Sequence, residues 1–123
     1  MGTFFPEVQL ASSGHPDRRE TVKLLVDSGS MYTWVSATTL RDLGVQPTER
    51  RRLLTIEGRM TERGAAEILI TLDGRTLHTL CLFGEPGNLE VLGAYTLEGV
   101  GLASDPIQRR LIPAILYGAA AAG

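Results

Sequence analysis

The sequence is poor in the residues that support disulfide, thiol and metal chemistry. It contains one cysteine and two histidines in 123 residues. A lone cysteine cannot form an internal disulfide, and Cys81 lies in the apolar segment Leu80–Phe83, which predicts a buried and inert thiol. His, Cys, Asp and Glu are nowhere clustered with the spacing of metal ligands. The sequence therefore predicts a protein that uses no metal and no other cofactor.

Long hydrophobic runs and an excess of charge of one sign are also lacking. The longest stretches without a charged residue, Ser28–Leu40 and Leu111–Gly123, have 13 residues each, whereas a membrane-spanning helix needs about 20. A formal charge of −2 gives no broad electrostatic footprint for nucleic acid or an acidic membrane. The N-terminus shows no basic segment followed by an apolar run, so no secretory signal is visible. We therefore expect a cytoplasmic protein without nucleic acid or membrane partners.

Apolar residues occur instead in short segments rich in Val, Ile, Leu and Thr, bounded by Gly, Pro and Asp, which is typical of β-strands. Thr21–Val26 is almost entirely apolar, so we expect this strand to be buried on both faces. Asp73-Gly74 predicts a tight hairpin. The expected strands are Thr3–Ala11, Thr21–Val26, Met31–Val35, Glu49–Glu57, Met60–Leu72, Arg75–Phe83, Leu89–Leu92 and Arg109–Ile112, and the expected short helices are Ser36–Leu43, with Ser36 as N-cap, and Ala94–Glu98.

The length fits one all-β domain, since domains usually have about 100–150 residues. We place this domain at residues 1–117, followed by a featureless tail of small residues at 118–123.

The sequence also contains one internal similarity. Thr39–Val45 resembles Thr96–Leu102, which lies 57 residues later, and each segment follows an apolar strand that breaks at a glycine, Gly29 and Gly93 respectively. The similarity indicates either a domain built from two related strand-glycine-helix halves or two unrelated helix ends that share Leu and Gly.

The triplet Asp27-Ser28-Gly29 is the most suggestive local feature. Such a triplet most often forms a turn. A turn Asp usually flanks polar sequence, whereas Asp27 directly follows Leu24–Val26 and precedes the apolar segment Met31–Val35. Neighbours of this kind bury the carboxylate in part, which is costly unless the group is hydrogen-bonded or shares a proton. This context favours a functional acid at position 27.

These residues resemble those of a known family. The segment Leu24–Ser30 (LLVDSGS), followed about sixty residues later by Val91, Leu92 and Gly93, is similar to the retropepsin-like aspartic proteases, and the wider pattern looks like their bacterial single-domain members. The resemblance implies a closed barrel with one or two short helices and pseudo-twofold halves. It also implies a homodimer that hydrolyses peptide or protein substrates as an aspartic endopeptidase.

The resemblance further implies a role for each site residue. Asp27 would face its copy in the second chain and activate water. Ser28 would hydrogen-bond across the dimer, and the backbone N–H of Gly29 would lie close to the carboxylate. Ser30 would hydrogen-bond the same carboxylate, as in the pepsin pattern, which predicts greatest activity at acidic pH.

The hairpin between residues 54 and 64 stands where the family has its flap, a mobile hairpin that closes over the substrate. The flap would place four residues near the substrate: Ile56, Glu57, Gly58 and Arg59. The other interpretation of this segment is an ordinary exposed hairpin.

The chain also departs from the viral pattern. Viral members continue with Ala and two acidic residues and place Arg after the later Gly, where this chain has Ser30, Met31, Tyr32 and Ala94. A salt-bridge network that braces the viral dimer and holds substrate is therefore absent on both sides. The alternative function is a catalytically silent module of the same fold that binds peptides or dimerises.

Overall fold

A computed structural model of the chain describes residues 3–55 and 57–115. The strands are β1 (Glu7–Ser12), β2 (His15–Lys23), β3 (Leu25–Val26), β4 (Thr33–Ser36), β5 (Glu49–Leu54), β6 (Met60–Leu72), β7 (Arg75–Gly84), β8 (Val91–Leu92), β9 (Leu102–Asp105) and β10 (Arg110–Pro113). The helices are α1 (Ala37–Asp42) and α2 (Ala94–Gly99). The prediction of a mostly β protein with two short helices is confirmed. The expected tail at 118–123 lies outside the described residues.

Eight strands form one curled sheet with the order β2-β1-β6-β7-β4-β8-β3, and β5 pairs with β6. β9 and β10 form a separate two-stranded sheet. The large sheet is a half-barrel with β2 and β3 at its ends. The N–H of Val26 in β3 also donates to the carbonyl oxygen of Phe4, in the segment before β1, at 3.1 Å. The closed barrel stays a prediction.

The core contains residues of this sheet and of both helices. Leu10, Ile68, Ile70 and Leu92 are fully buried there. The two helices cover the core from either half, α1 through Leu40 and α2 through Leu97. Within the described part of the chain, no helix has the length and apolar character needed to cross a membrane.

Local signals located several turns and caps correctly. Asp73 and Gly74 adopt φ angles of 53° and 74° between β6 and β7, as a two-residue hairpin with left-handed central residues requires. Ser36 caps α1, because its side chain accepts a hydrogen bond from the N–H of Thr38.

Several predicted strands differ from the structure in position or environment. Only Leu24 is fully buried in the segment Thr21–Val26, and the preceding part of β2 is exposed. β2 pairs with β1 alone and is an end strand of the sheet, so charged residues occupy it up to Lys23. β1 begins at Glu7 rather than Thr3. β9, which the sequence analysis missed, is short and half-buried and lacks a clear alternation of apolar residues.

The strand pairings repeat with the 57-residue offset seen in the sequence. Leu25 of β3 pairs in parallel with Val91 of β8. The corresponding residues of the other pair of strands match in the same way, because Leu82 of β7 pairs in parallel with Trp34 of β4. Leu82 lies 57 positions after Leu25, and Trp34 lies 57 positions before Val91. Trp34 and Val91 pair with each other where the two halves meet. The two halves of the chain therefore share one pattern of strand pairing.

The helices follow the same offset. α1 begins at Ala37 and α2 begins at Ala94, and Ser36 and Gly93 are their N-caps. Gly93 thus corresponds to Ser36. The sequence similarity had suggested that Gly93 corresponds to Gly29, which is wrong. Gly29 lies one strand earlier, because β4 separates the Asp27 loop from α1.

Candidate functional site

Asp27 immediately follows β3, at the point where this strand runs beside β8. Its backbone N–H donates to the carbonyl oxygen of Leu92 at 3.1 Å, extending the parallel pairing of Val26 with Leu92. The side chain is half-buried, as the apolar flanks predicted. The two segments that carry the family resemblance, separated by about sixty residues in sequence, are therefore adjacent in the structure.

The loop after Asp27 turns back on the carboxylate. The N–H of Gly29 donates to Asp27 Oδ1 at 3.0 Å, and the N–H of Ser30 donates to the Asp27 carbonyl oxygen at 3.1 Å. A Cβ on Gly29 would lie 3.2 Å from the same Oδ1. A side chain at position 29 would therefore crowd the carboxylate that the Gly29 N–H contacts. Ser28 and Gly29 are both exposed.

The hydroxyl of Ser30 does not contact the carboxylate. It donates to the carbonyl oxygen of Tyr32 at 2.8 Å, which is the local bond to a nearby carbonyl that serine often makes in a turn. The predicted hydrogen bond from Ser30 to Asp27 is therefore wrong, and the expectation of an acidic pH optimum loses its structural basis. Ser30 instead orients the backbone that follows the acid.

Gly93 allows helix α2 to approach this loop closely. A Cβ at position 93 would lie 2.4 Å from the carbonyl oxygen of Tyr32 and 3.0 Å from that of Met31. The first N–H groups of α2 use this proximity: Ala94 donates to Ser30 at 2.8 Å and Tyr95 donates to Met31 at 3.0 Å. Carbonyl groups of the Asp27 loop thus satisfy N–H groups that a helix start leaves unpaired.

A buried chain of three threonine hydroxyls supports the same junction. Thr33 Oγ1 lies 2.6 Å from Thr96 Oγ1, which lies 2.8 Å from Thr79 Oγ1. The N–H of Gly93 donates to Thr33 Oγ1 at 3.1 Å. These threonines join β4, β7 and α2. The sequence analysis missed them, because a threonine in a strand is ordinary and the partners are up to 63 residues apart.

Hairpin β5–β6 lies beside the loop, at the place expected for a flap. The N–H of Thr55 donates to the carbonyl of Arg59 at 2.8 Å, which closes the turn. Glu57, Gly58 and Arg59 are exposed, whereas Ile56 lies outside the described residues. Leu54, just before the turn, is 70% exposed.

Two clefts flank the segment Met31–Tyr32. One, of about 410 Å³, lies between this segment, Trp34 and the hairpin residue Leu54. The other, of about 440 Å³, lies between Ser28, Tyr32 and the first turn of α2. Both clefts are open to solvent beside the Asp27 loop and could receive side chains of an extended peptide.

Tyr32 carries a second contact that sequence reasoning did not reveal. Arg51 of β5 donates to the Tyr32 hydroxyl at 2.9 Å, and its guanidinium carbon lies 5.5 Å from the ring centroid. The ring centroid of Tyr95 lies 6.0 Å from that of Tyr32. Arg51 also hydrogen-bonds the carboxylate of Glu49, which raises the pKa of the guanidinium.

Cys81 lies apart from these groups, in the core. Its thiol is fully buried, and burial raises its pKa well above the ordinary value of 9.0. The prediction of a buried, unpaired thiol is confirmed. Over residues 3–55 and 57–115, no three His, Cys, Asp or Glu side chains are grouped so that they could hold a metal ion.

No family model matches the chain, and no curated protein sequence matches it. Among solved structures, the chain is similar to the protease of simian foamy virus (mac), with a TM-score of 0.55 and 20% sequence identity. The match covers 76% of this chain and 91% of the viral protein. The chain therefore has a retropepsin-like fold.

Proposed function

We propose that the chain is an aspartic endopeptidase that hydrolyses peptide bonds as a homodimer, with one Asp27 from each copy. The observation that carries the proposal is the environment of the Asp27 carboxylate. This group is half-buried at the end of paired strands and accepts the Gly29 N–H at 3.0 Å. The residues that follow it, Ser28 to Tyr32, line two open clefts. The similarity of the fold to a viral protease supports the same conclusion.

The chemistry follows from bringing two such carboxylates together. Two carboxylates about 3 Å apart cannot both be ionised, so they share one proton and titrate as a pair. The ionised member takes a proton from water, which attacks the peptide carbonyl carbon, while the protonated member donates to the carbonyl oxygen. The tetrahedral intermediate then collapses, the C–N bond breaks, and the leaving nitrogen takes up a proton. The reaction needs no covalent intermediate with the enzyme.

The exposure of the Asp27 loop favours pairing with a second copy. Asp27-Ser28-Gly29 occurs once in the chain, so a dyad of equivalent loops requires two chains. Ser28 and Gly29 are exposed, and Met31 beside them is 63% exposed. In the dimer the Ser28 hydroxyl would reach across the twofold axis and hold the two loops together. Association would also remove the Met31 side chain from water.

Hairpin β5–β6 would act as the flap. Its exposed tip residues, Glu57, Gly58 and Arg59, and Ile56 between them and Thr55, would contact a peptide lying along the clefts. Closure of such a hairpin excludes water and orients the substrate.

A second function is favoured by the apolar character of these clefts. Met31, Leu54 and Met60 expose large apolar side chains near the loop and hairpin, and such surfaces can bind a peptide without cleaving it. In that case the chain is a silent peptide-binding or dimerisation module.

The Asp27→Asn variant separates the two functions. We expect it to lower the rate of hydrolysis of a denatured protein by about 10²–10⁴-fold, because the amide cannot act as the general base. The matched control is Asp73→Asn, which makes the same change on an exposed turn where Asn-Gly is favoured. Equal hydrolysis by the wild type and Asp27→Asn would eliminate the enzyme and leave the binding module.

A further inference from the structure

Tyr32 connects two parts of the candidate site that are distant in sequence. Its backbone belongs to the segment that follows Asp27, and its carbonyl oxygen accepts the Ser30 hydroxyl at 2.8 Å. Its ring and hydroxyl face Arg51 of β5, the strand that leads into the hairpin tip. One side chain therefore contacts the hairpin while its own backbone is part of the Asp27 loop.

The backbone side of this connection is rigid. Ala94 and Tyr95 donate to the carbonyl groups of Ser30 and Met31, and Gly93 packs against the Tyr32 carbonyl with no room for a Cβ. The ring of Tyr95 lies against the ring of Tyr32 at a centroid distance of 6.0 Å. Helix α2 thus holds Tyr32 in place, and Tyr32 presents its hydroxyl at a defined position.

The hairpin side is less constrained. Leu54 and Met60, which pair at the start of the turn, are 70% and 61% exposed. Few buried apolar contacts hold this tip, so its position depends on the strands below it. Arg51 lies three residues before Leu54, and its guanidinium is oriented by Glu49 on one side and Tyr32 on the other.

We propose that Arg51 and Tyr32 are positioning residues that fix the hairpin over the Asp27 loop. The proposal rests on the proposed protease function. Neither side chain needs to contact the reacting atoms: Arg51 acts through Tyr32, which sets the distance between hairpin and loop. The pair supplies a hydrogen bond and a cation–π contact between the hairpin and the loop.

Kinetics of single and double variants test the pair. Arg51→Met removes the donor and the charge, and Tyr32→Phe removes only the hydroxyl. We expect each to lower kcat/KM about tenfold, mainly by raising KM, because the hairpin no longer encloses bound peptide while Asp27 is unchanged. The double variant should lose little more than either single one, since both remove the same contact.

Arg50→Met is the matched control. Arg50 is the neighbouring residue on β5, but it points to the other face and pairs with exposed Glu62 at 2.8 Å. We expect its kcat/KM to stay within twofold of wild type.

Fluorescence gives a readout that does not depend on turnover. Trp34 is the single tryptophan, and it lines the cleft beneath the hairpin together with Leu54. Acrylamide should quench Trp34 about twice as efficiently in Arg51→Met and Tyr32→Phe as in the wild type or Arg50→Met, because a loosened hairpin uncovers the ring. Circular dichroism spectra that match the wild type verify that each variant is folded.

The outcomes separate the positioning role from the protease function. If the wild type is active, three results would overturn the positioning role while leaving the protease function intact. They are an unchanged KM in Arg51→Met, unchanged quenching of Trp34 in the variants, and an equal loss of kcat/KM in Arg50→Met. Equal activity of the wild type and Asp27→Asn overturns the protease function, and the positioning role falls with it.

Discussion

Gly93 shows how one missing side chain holds the candidate site together. A methyl group there would lie 2.4 Å from a backbone carbonyl oxygen, which cannot move without displacing the Asp27 loop. We expect Gly93→Ala to lower the free energy of unfolding by about 2–3 kcal/mol, as overpacking does. Urea unfolding measures this loss. Gly14→Ala is the control, because a Cβ there meets nothing closer than 3.7 Å, and a comparable loss in both variants would contradict the argument.

Cys81 gives a prediction for the dependence of stability on pH. The buried thiol keeps its proton in the folded state, because burial raises its pKa, whereas the unfolded thiol ionises near 9.0. Its contribution to stability is therefore complete below pH 9 and is lost as pH rises further. Between pH 8 and pH 10 we expect the wild type to lose about 1 kcal/mol more than Cys81→Ala. Parallel slopes in the two proteins would show that the thiol ionises equally in both states.

Among single residues, those whose contacts are local could be predicted from the sequence. Asp27 and Gly29 form one turn, so a short motif contains both partners of their hydrogen bond. Ser30 was assigned wrongly, because a hydroxyl chooses among several nearby acceptors and the motif does not specify which. The contact of Arg51 could not have been predicted, since its partner Tyr32 is 19 residues away in the loop that follows Asp27.

Three secondary-structure elements, β4, β7 and α2, are joined by the buried chain of threonine hydroxyls. Thr96 lies at its centre and contacts both other hydroxyls. Thr96→Val has nearly the same shape but leaves two buried hydroxyls short of a partner, which should cost about 1–3 kcal/mol. Thermal or urea unfolding measures the change.

The control for this prediction is Thr76→Val. Thr76 pairs with Thr71 across strands at 2.9 Å, but that hydrogen bond is exposed and water can replace it. We expect a change within about 0.5 kcal/mol. An equal loss at positions 76 and 96 would mean that burial of the threonine chain is not what matters.

Elements with local signals were predicted well, and elements defined by their partners were not. The Asp73-Gly74 turn and the Ser36 cap need only neighbouring residues. β2 is exposed because it lies at the end of the sheet. No residue within β2 indicates that position. β9 is a strand because β10 pairs with it, so its own four residues give no clear pattern.

For the whole molecule, the proposed shared dyad predicts a distinctive result when subunits are mixed. Wild type and Asp27→Asn are combined in equal amounts under conditions of subunit exchange. If each site needs both acids, about one quarter of the dimers are active, because random pairing gives one wild-type homodimer in four. Independent sites would instead retain half of the activity. Sedimentation at the assay concentration verifies that dimers are present.

The two halves of the chain have the same strand pairing but not the same chemistry. The residue 57 positions after Asp27 is Gly84, so the second half ends the corresponding strand without an acid. The proposed dimer would thus contain this pairing pattern four times, twice with the reactive acid and twice in a silent copy without it. The silent copies can accumulate changes in the loop that follows Gly84 without altering the reactive centre. In the proposed enzyme, the loop after Gly84 would therefore be free to vary, whereas the loop that contains Asp27 would not.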